Sequence, residues 1–237
     1  MGFLVFTLYP DFMKYLSGIF GPTMWVYPAL FILESLSLYF YYYLWDELQG
    51  SKKGLHLLLG LSLNVWGTLV MFVANTWASF MMSPAGISKT GELESLWGAI
   101  SNKTWWPLNL HRFVANISFG ALLCGAYAAY RFFTARGERE KAYYDWMGYT
   151  GNLVALFTTL FLPFLGYYLA FEIYSYSPQM GVTLMGGVLS WLFVIQAVVI
   201  ASLFIGAAYY SWLGLSRIPG SEPFRRWVPA FNGVIIV

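Results

Sequence analysis

Five long runs almost free of charge, residues 24–45, 56–77, 111–133, 148–172 and 183–212, constrain this chain more than any other feature. A helix rises about 1.5 Å per residue, so about 20 apolar residues cross the ~30 Å hydrocarbon core of a bilayer. In lipid each backbone N–H and C=O needs a partner inside its own segment, and isolated runs of this length meet that need only as helices. The expectation is an all-α membrane protein: a bundle of about five transmembrane helices forming one domain over residues 1–237, with an N-terminal interfacial helix. Pro28 and Pro163 fall inside two of the runs and predict local kinks rather than breaks. Residues 3–20 are interrupted by Pro10, Asp11 and Lys14, which denies them the unbroken apolar core of a cleavable signal. A helix lying in the membrane interface suits them better.

Composition agrees. Hydrophobic residues make up 59% and charged residues 10%, where a soluble domain carries roughly 25% charge. The formal net charge of +2 leaves no footprint for nucleic acid. Aromatic residues reach 21%, and the Tyr39–Tyr43 cluster with Trp45 reads as anchoring at one interface. Lys52, Lys53, Arg131, Arg136, Arg139, Lys141, Arg217, Arg225 and Arg226 fall on one side of the expected bundle, and Lys14, Lys89, Lys103 and Arg112 on the other. That asymmetry places the loops 46–55 and 134–147 and the region after Ser211 in the cytoplasm, and the long loop 78–110 outside. The tail Val228–Val237 is apolar again, and a further membrane segment is expected to begin there. A single cysteine, Cys124, rules out an intrachain disulfide and a C-x-x-C-H haem attachment. Within its apolar run it reads as a small buried residue.

Candidate chemistry rests on few residues. The two histidines start different spans at opposite faces, His56 inside and His111 outside, so one haem cannot use both across ~30 Å of hydrocarbon. A b-type haem at His111 would take its second axial ligand from another helix end on the outer side, where Met180 and Met185 are available, and His/Met ligation is an established way to hold haem iron. The alternative is an interfacial imidazole bonded to headgroups or water. His56, beside Lys52 and Lys53, reads as an ordinary surface residue, with a second haem between it and Met147 left open. Glu34 sits in the middle of the first span, where a carboxylate is costly unless protonated, paired or wetted. It is a candidate proton site, or a neutral group bonded to Asn64 or Ser62. Glu172 lies nearer the outer interface and carries less weight.

Leu33-Glu34-Ser35, eleven residues before Trp45-Asp46-Glu47-Leu48, is where the pattern resembles subunit I of the cytochrome bd quinol oxidases. The likeness continues through Gly21-Pro22, through His56 opening the next run, and through Val73-Ala74-Asn75-Thr76-Trp77 closing it before Pro84. It then reaches His111, which opens a run ending Ala128-Ala129-Tyr130. It covers residues 20–135 well and the remainder weakly. The resemblance implies that His111 is an axial ligand of a low-spin b haem, that Met185, with Met180 as competitor, is the other, and that Arg112 pairs with a haem propionate. It also implies residence in a bacterial inner membrane, multi-pass, as part of a larger respiratory or photosynthetic complex.

The departures from the family pattern are equally specific. The chain opens where the third helix of the family would, so the helices that carry the oxygen-site histidine are expected to be lacking. Val26 stands where the family has a second membrane glutamate, eight residues before Glu34, and the long quinol loop with its Gly-Arg-Gln-Pro-Trp motif is reduced to a short stretch between Glu172 and Val182. The expected role is therefore a relay subunit that does not reduce oxygen on its own. It would pass electrons between a membrane quinone and a periplasmic cytochrome c or iron–sulfur subunit, alongside other membrane subunits. The competing expectations are a haem-free membrane scaffold and a proton-conducting subunit centred on Glu34.

Overall fold

The computed structural model describes residues 6–188 and 190–217. These form α1 (Pro10–Tyr43), a 3-10 turn at Gly50–Lys52, α2 (Lys53–Met82), α3 (Leu96–Ile100), α4 (Trp105–Thr134), α5 (Glu138–Thr159), α6 (Leu162–Tyr176), α7 (Pro178–Gly186) and α8 (Ser190–Arg217). Four stretches are long and apolar enough to cross a membrane, Pro10–Tyr43, Gly50–Met82, Trp105–Thr134 and Glu138–Tyr176, with a shorter apolar stretch at Ser190–Gly206. Large apolar side chains such as Trp25, Phe133, Phe164 and Val198 are exposed along these helices, the arrangement expected where lipid replaces water. The chain is an all-α membrane protein. It divides into two compact units, residues 1–109 and 110–237.

In the first unit α1 and α2 run antiparallel, because the contacts pair falling with rising numbers: Tyr41 with His56, Tyr27 with Trp77, Phe20 with Phe80. α1 opens with Pro10 in its first turn, where the missing N–H costs nothing, and Asp11 faces the positive end of the helix dipole. Pro22 and Pro28 both remain inside α1, and the backbone leaves helical geometry at Phe20 (φ −102°, ψ 18°). This kink falls where the interfacial helix was expected to end. The end of the segment before it also packs inward. Leu16, Ile19 and Phe20 are buried with Phe80 and Ala99, against Trp77, Ile87 and Leu96, and apolar burial of this kind fixes the segment to its own unit.

The stretch 83–104 is a folded cap rather than an open loop. Gly86 takes φ +70°, and a Cβ there would collide with the Ser95 carbonyl and the Ala99 nitrogen, so only glycine fits that turn. Beneath the cap is a buried polar network. Ser83 Oγ lies 3.0 Å from Asn102 Oδ1 and 2.7 Å from Thr104 Oγ1, Asn102 Nδ2 donates to Ser79 Oγ at 2.9 Å, and Thr104 Oγ1 donates to the Ser79 carbonyl at 3.1 Å. Mutual satisfaction is what makes such burial tolerable.

In the second unit α4 and α5 meet along small residues. A Cβ at Gly151 would lie 2.9 Å from the Ala121 carbonyl oxygen, one at Gly125 would lie 3.3 Å from Asn152 Oδ1, and Ala128 and Ala155 are buried in the same stripe. Such residues let membrane helices approach closely where no hydrophobic force drives them together. Ser118 and Thr159 share a hydrogen bond of 2.8 Å across the seam. At the α4–α5 turn Arg131 bridges Glu140 at 2.7 Å and lies over the Tyr144 ring at 5.0 Å.

Several expected boundaries move. The run 148–172 is divided at Leu160 and Phe161, both still in right-handed helical dihedrals, with Pro163 in the first turn of α6. The missing proline N–H interrupts the hydrogen-bond ladder, which matches the kink expected there. The run expected to begin at residue 183 is split: Thr183 belongs to α7, Gly187 is extended, and the long apolar helix begins at Ser190. Two glycines at 186 and 187, poor helix formers, sit at that division. Cys124, expected to be buried, is exposed. The tail Val228–Val237, with Arg225 and Arg226, lies outside the described residues.

Candidate haem site

α4 is fixed at its start by side chains whose polar groups are all spoken for. Asn75 Nδ2 donates to Asn109 Oδ1 at 2.8 Å, and Asn109 Nδ2 donates to the Trp105 carbonyl at 2.9 Å. Both asparagines are fully buried.

The His111 ring rests on α6 at Gly166. A Cβ at that glycine would lie 3.5 Å from His111 Cε1 and 3.7 Å from Nδ1, with Nε2 beyond contact range. The Nδ1–Cε1 edge therefore faces α6. Nδ1 is buried without a hydrogen-bond partner among the described residues, whereas Nε2 is turned from that wall. One turn and more along the same face of α4, Ala115, Ser118 and Leu122 line a cavity of about 160 Å³ closed by Ala155, Leu162 and Phe204. Apart from the Ser118–Thr159 hydroxyl pair its walls are apolar. Nε2 is thus the nitrogen that could meet an iron, ligation there leaving on Nδ1 a proton that has no acceptor among the described residues.

The other sequence candidates are less aligned with that role. Arg112 is exposed on α4 directly after His111. Met180 is on α7, exposed, with its backbone N–H on the Ser177 hydroxyl at 3.3 Å. Met185 is on the same helix, and its side chain lies outside the described residues. Glu172 is half-buried and accepts from the Ser175 hydroxyl at 3.4 Å.

His56 is the clearest correction to the sequence reading. It is not a surface residue: it is 6% exposed, stacked on Tyr41 at 4.3 Å between centroids and edge-on to Trp45 at 4.7 Å. Tyr41 is thereby drawn inward from the cluster assigned to anchoring. Both ring nitrogens of His56 are enclosed and unpartnered among the described residues.

Glu34 is half-buried on α1 against α2, but not where its partner was expected. Asn64 and Ser62 bond the carbonyls of Gly60 and Leu59 on their own helix. The carboxylate instead faces Gly67, where a Cβ would stand 2.8 Å from Oε1. Two turns along the seam Tyr41 packs on Gly60 in the same way, 3.0 Å from its ring to a Cβ there. Sequence reading missed these notches at Gly60, Gly67 and Gly166. Isolated glycines in apolar helices were the available signal, since helix propensity disfavours them unless something packs close.

A model of the cytochrome bd terminal oxidase subunit I family matches residues 1–188. No curated protein and no solved structure matches the chain.

Proposed function

Because this chain belongs to the cytochrome bd terminal oxidase subunit I family, we propose that it is an electron-relay subunit holding one low-spin b haem through His111. The haem supplies reversible one-electron chemistry when bound. The chain's own part is to hold that group at one membrane face, to fix the imidazole, and to surround it with apolar helices that keep water out. Met185 would be the other residue to hold it, and Arg112 is proposed to pair with a propionate through charge-assisted hydrogen bonds. Electrons would pass between a membrane quinone and a periplasmic redox subunit, with Glu34 as a proton site at the α1–α2 seam.

The single observation that carries this reading is the His111 ring, whose Nδ1–Cε1 edge faces Gly166 while Nε2 is clear of that wall. Haem quantitation against protein in the purified complex tests the proposal. Wild type should carry haem b in stoichiometric amount and His111→Ala should lose most of it. Equal haem content in the two would refute the assignment.

A further inference from the structure

We infer that Gly166 is a positioning residue for His111: this α6 position has room for no more than a methyl group beside the imidazole, so its small size lets the ring keep its tilt, with Nε2 clear of that wall. The inference rests on the reading of His111 as an iron ligand and goes beyond it, because it concerns what orients the ring rather than what the ring binds.

Gly166 lies in a bulky stretch, Leu162-Pro163-Phe164-Leu165-Gly166-Tyr167-Tyr168, whose Phe164 and Tyr167 are exposed. Glycine weakens a helix, so its place among such residues calls for a close neighbour. The neighbour is the His111 ring, at ordinary contact distance from the Cβ position, 3.5 Å to Cε1 and 3.7 Å to Nδ1. A methyl group there would touch the ring without moving it. A branched side chain would occupy the space the ring now holds.

Ligating histidines are commonly oriented by a hydrogen bond from the second ring nitrogen to a carboxylate, carbonyl or water, which also raises ligand basicity. His111 Nδ1 has no such acceptor among the described residues. Orientation therefore falls to the packing around the ring, in which the Gly166 position admits nothing beyond a methyl group. The same vacancy of polar partners makes the position tunable: a hydroxyl carried on a Cβ 3.7 Å from Nδ1 comes within hydrogen-bonding reach of it.

The test compares Gly166→Ala, Gly166→Ser and Gly166→Val with wild type and His111→Ala in the purified complex, by haem content, midpoint potential and the electron paramagnetic resonance of the oxidised haem. Gly166→Ala should match wild type. Gly166→Ser should lower the midpoint potential relative to both, because a hydroxyl accepting the Nδ1 proton makes the imidazole a stronger donor and favours ferric iron. Gly166→Val should shift or abolish the low-spin signal. If serine and alanine give the same potential and valine leaves the signal unaltered, the positioning role is overturned, while loss of haem in His111→Ala keeps the ligand assignment standing. If His111→Ala retains its haem, the underlying reading has failed instead. Should Gly166→Val not accumulate in the membrane, the serine–alanine difference decides alone.

Discussion

A histidine inside an apolar helix has few ways to be stable, and His111 and His56 have taken different ones. His56 is enclosed between Tyr41 and Trp45, whereas His111 keeps one edge against Gly166 and turns Nε2 from it. The charges of Lys52 and Lys53 beside His56 suggested a surface residue, but its burial depends on what α1 brings from fifteen residues earlier. The other axial ligand follows from the same logic. If Met185 holds the iron, Met185→Leu should shift the midpoint potential and weaken the low-spin signature in a redox titration, while Met180→Leu changes neither. The reverse pattern would transfer the role to Met180. Glu34 was legible as an anomaly of charge in a span, but its surroundings were not, because the residue that faces it is a glycine, which contributes nothing to a polarity pattern.

Elements carry the energetics, and in lipid these come from close packing and satisfied polar groups rather than from exclusion of water. The α4–α5 seam is the tightest instance. Gly151→Val must push a side chain into the Ala121 carbonyl and the Gly125 nitrogen, which lie 2.9 Å and 3.2 Å from a Cβ at that position, and overpacking of this kind costs about 1–3 kcal/mol. Thermal unfolding in detergent should register that loss, whereas Gly120→Ala on the neighbouring helix α4, with open space at its Cβ position, should be nearly neutral. A Gly151→Val protein as stable as wild type would mean that the seam is not under tension. The apolar runs made these helices readable from sequence. Their ends were harder: proline 163 and the glycine pair at 186 and 187 divide runs that hydropathy alone treats as continuous. The folded cap of residues 83–104 was read as a loop because its order comes from Ser83, Asn102 and Thr104 bonding one another, a pattern that polar composition disguises as solvent exposure.

At the scale of the whole molecule the account makes a claim about sidedness and a claim about cofactor. The basic residues assign the α4–α5 turn to the cytoplasm and the 83–104 cap to the opposite face. In a Cys124→Ser background, Arg136→Cys should react with an impermeant thiol reagent only after the membrane is opened, and Lys89→Cys should react in intact cells. The opposite labelling would invert the bundle and put His111 at the wrong face for a periplasmic partner. Membrane residence and family follow from features spread over the chain, which is why both were legible early, while the haem claim depends on a few atoms brought together by folding. The reduced-minus-oxidised absorption spectrum of the purified complex tests that claim most directly. A low-spin b-type spectrum present in wild type and lost in His111→Ala is the predicted result, and a spectrum lacking such bands in wild type, or unchanged by the substitution, would contradict it.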